Sequence, residues 1–321
     1  MSTVHTFPTM SRRGFLGVAA SALALGLAGC DESAPTDGAE TEASEEVALD
    51  TQAYDDLISQ GAVADDATIQ ANTWANAVRE AGKLRVGGVQ TSMLFSLLNE
   101  GDGKTRGFDA GLSQLLTRYI LGDENAQEIT QVTSNTRESV LQNDQVDCVF
   151  ATYSINDDRK KVISFAGPYY TSQQSILVMA DNTDINSVDD LAGKTVAAQS
   201  GSTGPGILEE YAPDAIVQEF ATDEEARSAL SQGRVEAYVI DTAMQLSNMA
   251  RNPGRYRIAG DQFGPVDNYG IGMQLNSDGV AFVNTWLQSI EDDGTWAELW
   301  EICIGNRAGI EDVPEPPTIG A

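Results

Sequence analysis

The chain has 321 residues, enough for about two domains at ~150 residues each, and its 41% hydrophobic share suffices for sizeable cores. The 48 Asp and Glu against 19 Lys and Arg give a formal charge of −29, which repels phosphate backbones and argues against a nucleic-acid partner. The only histidine, His5, lies in a segment read below as a removed signal. The mature chain then has no Ser-His-Asp or Cys-His nucleophile and no imidazole metal ligand, so no cofactor or metal is expected.

Ser11-Arg12-Arg13-Gly14-Phe15-Leu16 fits the twin-arginine export pattern. The apolar run Gly14–Ala28 is too short for a membrane span of ~20 residues. It ends in Leu27-Ala28-Gly29-Cys30, small residues before a cysteine that fit lipidation at Cys30. Two or more acyl chains anchor stably where one is marginal. The chain is therefore expected to be exported and held by lipid at the outer face of the cytoplasmic membrane. Loss of residues 1–29 removes Arg12 and Arg13 and no acid, so 17 bases against 48 acids leave −31. Residues 31–72 carry twelve acids and no Lys or Arg. Residues 30–73 are read as an acidic tether, disordered up to about Ala48, with room for a short helix at Ala53–Ile58.

From Trp74 onward helix and strand signals alternate. Trp74, Ala77, Val78 and Ala81 have helical spacing, ended by Gly82. Leu84–Val89 reads as a strand. Leu112, Leu115, Leu116, Tyr119 and Ile120 form a helix face closed by Gly122. Thr136–Gln142 is helical, and Val146–Ala151, Ile176–Ala180 and Thr195–Ala198 are strands. Helices follow at Gly206–Tyr211 and Asp223–Gln232, then strands at Val235–Ile240 and Tyr269–Leu275. Trp286, Trp296 and Trp300 fall at helical spacing as core residues, and the Pro-rich 314–321 reads as a loose tail. The alternation predicts an α/β fold with parallel sheets. Gly193-Lys194-Thr195 precedes a strand, the wrong context for a phosphate loop. Gly201–Gly206 follows a strand and opens a helix, so it is either a tight turn or a place for an anion. Cys148 and Cys303 either pair outside the cell or stay as buried thiols.

The run Ala151-Thr152-Tyr153-Ser154-Ile155-Asn156-Asp157-Asp158-Arg159-Lys160-Lys161, followed by Phe165-Ala166-Gly167-Pro168-Tyr169-Tyr170, resembles the polar amino-acid solute-binding proteins of ABC importers (bacterial solute-binding protein family 3). Supporting blocks follow the same order: Gly107-Phe108-Asp109, Thr133-Ser134 with Arg137, Asp190–Lys194, Gln199–Thr203, Gly233–Ala237, Ile240-Asp241 and Tyr269–Gly272. The likeness spans roughly residues 70–306. It implies a two-lobed periplasmic-binding fold of type II with two hinge crossovers near Pro168–Gln173 and Pro265–Tyr269. Lobe one would be 74–168 plus 270–313, and lobe two 174–264.

The resemblance also implies a site. A free amino acid needs one fixed cation, one fixed anion and neutral donors. Arg159 would clamp the carboxylate with its bidentate fork, helped by N–H groups at Ser154 and Thr203. Asp241 would take the ammonium, with the Thr152 carbonyl and the Ser154 hydroxyl. Ser202, Gln199, Gln90 and Ser134 complete the set. Relatives for cationic ligands or glutamine often carry aromatics where Ser92 and Ser134 stand, and an acid where Val89 stands. That absence disfavours Lys or Arg. The Thr133-Ser134 and Ala151-Thr152-Tyr153-Ser154 runs resemble the glutamate-type branch, so an acidic amino acid, glutamate or aspartate, is expected ahead of glutamine, with Arg106 or Arg137 reading a distal carboxylate. The implied partners are a free amino acid, an ABC permease and, through lipid, the membrane. No catalysis is expected. A fold-related enzyme acting on a small acid and a ligand-sensing partner of a membrane receptor remain alternatives.

Overall fold

The computed structural model describes residues 46–320. The proposed signal peptide and Cys30 lie outside the described residues. No described helix is long and apolar enough to cross a membrane.

One eight-stranded sheet runs through the molecule. Its order is Gln127–Gln131, Leu84–Gly88, Cys148–Phe150, Tyr256–Met273, Ser164–Met179, Ala237–Asp241, Thr195–Gln199 and Ile216–Phe220. The three strands at one end are mutually parallel, as are the three at the other. Between them lie two long antiparallel strands of 16 and 18 residues, Ser164–Met179 and Tyr256–Met273. Each begins in one lobe and ends in the other. The segments predicted as Ile176–Ala180 and Tyr269–Leu275 are the far ends of these continuous strands. Their pairing register shifts three times, between Ala259 and Phe263, between Phe263 and Asp267, and between Tyr269 and Ile271. Bulges of this kind bend a strand and re-aim its side chains.

Local chemistry explains the element ends. The helix Thr73–Ala81 starts where the Asn72 side chain accepts from the Ala75 N–H, and stops at Gly82, whose φ of 68° costs glycine little. Asp278 accepts from the Thr73 and Trp74 N–H groups, which fastens this helix to the C-terminal part of the chain. In lobe two, period-two alternation divides the residues between two faces. Val196, Ala198 and Val239 join one core; Ala197, Tyr238 and Ile240 join the other.

Two expectations are corrected. Residues from Thr51 onward are folded, not tether. The helix Thr51–Gln60 is capped by Asp50 and buries Tyr54 and Ile58, and Asp66–Gln70 buries Ile69. The Tyr54 hydroxyl bonds the Gly107 carbonyl and Gln114, and the Ala64 N–H donates to the Tyr119 carbonyl. Burial of a few apolar residues outweighs the acidic composition because the acids face outward. The tail is fastened at its end: Ile319 packs against the lobe-one core and the Gly320 N–H donates to the Gly167 carbonyl at 2.8 Å. Of the two alternatives for Cys148 and Cys303, the structure has buried free thiols in that core, and burial pushes both up.

Candidate functional site

The strand Cys148–Phe150 leads into a strap, 151–156, that runs along the second long strand. The Gly270 N–H donates to the Tyr153 carbonyl and the Ile155 N–H to the Asn268 carbonyl. Thr152 holds a positive φ of 42°, a conformation that costs a non-glycine residue about 1–3 kcal/mol and needs support. Support comes from Asp109, whose carboxylate accepts the Thr152 N–H at 2.8 Å and the Tyr169 hydroxyl at 2.8 Å. Burial pushes the Asp109 carboxyl up to about 7, against these bonds and the nearby Arg137.

Beyond the strap, Asn156 caps the short helix Asp157–Lys160 by accepting the Arg159 N–H. The Arg159 guanidinium turns inward and is buried. It donates to the Ser154 carbonyl at 2.7 Å and, across the cleft, to the Gly201 carbonyl of lobe two at 3.0 Å. The loop carrying Gly201 presses close to lobe one: a Cβ there would sit 2.4 Å from the Asn135 side chain, next to Ser134, and φ is 75°. Ser202 tightens this loop by donating to the Gln199 carbonyl and accepting from the Gly204 N–H, where the helix Gly204–Tyr211 opens.

Asp241 ends the strand Ala237–Asp241 and is buried, accepting from the Gln174 amide. Burial first, then the neighbouring Asp267 carboxylate, holds the Asp241 carboxyl well above the usual range. The Gln174 amide also reaches the Thr203 hydroxyl at 3.2 Å. Asp267 accepts the Ser154 hydroxyl at 3.0 Å and the Thr203 hydroxyl at 3.4 Å, joining the two lobes. Arg159, Ser154, Thr203 and Asp241 therefore line one cleft between the lobes, with Ser202 in its loop and Thr152 at its edge.

Other expected residues sit differently. The Gln90 amide is held by the Thr105 hydroxyl in a small three-stranded sheet. Ser134 is half-buried beneath the Gly201 loop, and Gln199 meets that loop through its carbonyl. Arg106 is unavailable for any ligand: it pairs with Asp55 and Asp102, both at 2.8 Å. Arg137 is buried with its guanidinium 4.0 Å over the Tyr153 ring and donates to the Ala151 carbonyl, while its Nε has no partner. Burial and the nearby Arg159 push it down to about 10.

Sequence reading missed Asp267, Gln174 and Met244. The first two lie on the long strands, Asp267 in a stretch read as hinge and Gln174 directly after the other hinge. An acid flanked by Val266 and Asn268 near a proline carries no pattern that predicts an inward turn; the register shift supplies it. Arg159 and Arg137 thus lie near the Asp241 and Asp267 carboxyl groups where the lobes meet. An ammonium set beside Asp241 would favour its charged form, and a ligand carboxylate would compete for the Arg159 guanidinium, whose donors here go to the Ser154 and Gly201 carbonyls with Glu138 at 3.5 Å.

Residues 84–305 match the model of the bacterial extracellular solute-binding proteins, family 3. The glutamine-binding protein of Geobacillus stearothermophilus is 39% identical over 196 residues, which cover 61% of this chain and 74% of that one. The ABC transporter glutamine-binding protein of Bacillus subtilis is 34% identical over 227 residues, 70% and 82% of the two chains. The glutamate-binding protein of Corynebacterium glutamicum is 30% identical over 230 residues, 68% and 78%. Among solved structures, an ancestral arginine-binding protein bound to glutamine aligns with a TM-score of 0.63 at 32% identity, over 70% of this chain and 98% of that one. The solute receptor for L-cysteine of Neisseria gonorrhoeae aligns at 0.71 and 22% identity, over 76% and 99%, a likeness of fold.

Proposed function

Since the chain belongs to the bacterial extracellular solute-binding proteins of family 3, an amino-acid-binding family of ABC transport, we propose that it captures a free polar amino acid between its lobes, glutamine first, and hands it to an ABC permease. The observation that carries this reading is that Arg159 on lobe one and Asp241 on lobe two are both buried where the lobes meet, beside Asp267, which accepts the Ser154 and Thr203 hydroxyls. A zwitterion bridging the two favours the closed state, which is how a ligand shifts a two-state protein. With Arg106 tied up by Asp55 and Asp102, the cleft loses one candidate partner for a distal carboxylate, and this moves the reading from acidic side chains toward an amide. Glutamate is the second reading, favoured by the unpartnered Nε of Arg137. Val89, in place of an acid, supports discrimination against lysine and arginine.

The sequence patterns at Ser11–Leu16 and Leu27–Cys30 support export by the twin-arginine route and lipid anchoring through Cys30. The role is binding rather than catalysis. Calorimetry of residues 46–320 against the twenty amino acids tests the first part, with glutamine expected to bind most tightly. Absence of binding by any amino acid overturns the function, and lysine or arginine binding best overturns the specificity. Mass spectrometry of protein from native membranes tests lipidation at Cys30.

A further inference from the structure

The helix Thr242–Arg251 begins directly after Asp241 and leans onto lobe one. Its start is tied to the first long strand, where Thr242 donates to the Gln173 carbonyl and the Ala243 N–H to the Ser172 hydroxyl. Farther along, Ser247 accepts the Leu94 N–H at 3.1 Å, and Arg251 donates to the Thr91 carbonyl at 2.6 Å. Between these ties Met244 reaches out of lobe two. Its Sδ lies 3.9 Å from the Ser92 hydroxyl and 3.9 Å from the Thr152 hydroxyl, both on lobe one. Ser92 also lies 3.3 Å from the Ser247 hydroxyl.

These contacts fix where a bound side chain can go, if the ligand is an amino acid held as proposed above. Its α-carbon sits between Arg159 and Asp241. Thr152 stands two residues before Ser154 on the strap and Ser92 meets the same methionine, so one exit runs past Thr152 toward Ser92. We infer that Met244 closes this exit from the opposite lobe, making the side-chain subsite short and uncharged, and is the residue that selects against long cationic side chains. A thioether is soft and adapts its shape, so it packs against methylenes yet supplies no counter-charge. The groups it touches are hydroxyls, so a lysine or arginine head driven there would be buried without a partner. Because Met244 comes from lobe two and Ser92 and Thr152 from lobe one, the side chain is read as the lobes come together.

The test measures binding of glutamine, arginine and lysine to wild-type protein, M244A and M244E by calorimetry, with thermal melts to verify folding. In M244A, which opens the exit, the arginine-to-glutamine affinity ratio is expected to rise at least tenfold. In M244E, which lines it with a carboxylate, the ratio is expected to rise further; this variant also decides the matter if M244A fails to fold. A ratio within twofold of wild type in either folded variant overturns the assignment of Met244 while leaving the amino-acid receptor intact. Failure of the wild-type protein to bind any amino acid overturns the receptor reading itself.

Discussion

The two lobes share a strand-order logic yet differ in what fills them. Lobe one is packed with rings: Phe95, Phe108, Tyr169, Tyr170, Trp286 and Trp296 are buried in one cluster that also takes in Tyr54 from the N-terminal helix. Phe108 meets Trp296 edge-on at 5.5 Å, and Phe95 meets Tyr170 at 5.4 Å. Lobe two has two smaller cores of Ile, Val, Leu and Ala on the faces of its sheet, with Tyr238 and Tyr256 as their buried rings. Aromatic pairs add to area burial, so lobe one is a broad, heavily packed base and lobe two a light sheet riding on two strands. The cleft takes its guanidinium from the base and its carboxylate from the lighter lobe.

Truncating a core residue in each lobe is expected to have the largest effect. Trp296→Ala removes a ring whose indole N–H donates to the Tyr169 carbonyl at 2.9 Å and is expected to cost about 3–5 kcal/mol. Val239→Ala in lobe two is expected to cost about half as much, and urea titration of both compares the lobes directly. Equal losses would show the cores to be equivalent. The cleft comes next. Arg159→Ala and Asp241→Ala, one on each lobe, are each expected to weaken amino-acid binding by about 2–5 kcal/mol, because the opposite charge of the ligand is left buried and unpaired. Near-wild-type affinity in either, by calorimetry, removes that residue from the site.

A smaller effect is expected from pH. The Asp109 carboxyl is raised from 3.8 to about 7, so the folded chain holds a proton that the unfolded chain releases. Its contribution to stability is complete below pH 3.8 and declines as pH rises through about 7. Asp223 in lobe two is raised by burial with the same sign. The melting temperature should therefore be higher at pH 5 than at pH 8 by on the order of a few degrees, and Asp109→Asn should flatten that difference. A melt that rises with pH in both proteins would contradict the assignment. Smallest is Asn156→Ala, which removes the cap of the helix carrying Arg159 and is expected to cost about 1 kcal/mol, with a measurable loss of ligand affinity if the cap also positions the guanidinium.

Much of this was legible in the chain. Trp74 to Gly82 and Leu112 to Gly122 carry their helices in apolar spacing and terminal glycines, and the motifs around Arg159 and Asp241 mark both as candidates. The edge strands Gln127–Gln131 and Ile216–Phe220 leave no clear signal: the first is mostly polar, and the second has only Ile216 and Val217, both exposed, before Gln218 and Glu219 break the run. The long strands broke into pieces because Pro168, Gly167, Gly264 and Pro265 read as punctuation. Only tertiary pairing between the two strands overrides that signal. Arg106 shows the opposite failure: an arginine near a candidate site looks like a ligand group until Asp55, on a helix hidden in acidic sequence, claims it.

The path of the chain through the two long strands has a practical side. Val47 accepts from Arg307, and Ile319 and Gly320 lie against lobe one, so both ends of the described chain sit on the same body. Lobe two leaves and returns through neighbouring strands, paired at Gln174 and Phe263. In the language of protein engineering it is an inserted cassette, open to exchange with the matching segment of a relative without disturbing either terminus. A dye or fluorescent protein fused at either end would ride with lobe one and stay blind to capture. A reporter of ligand needs one label on the cassette itself, for instance at the exposed Glu209 or Glu210.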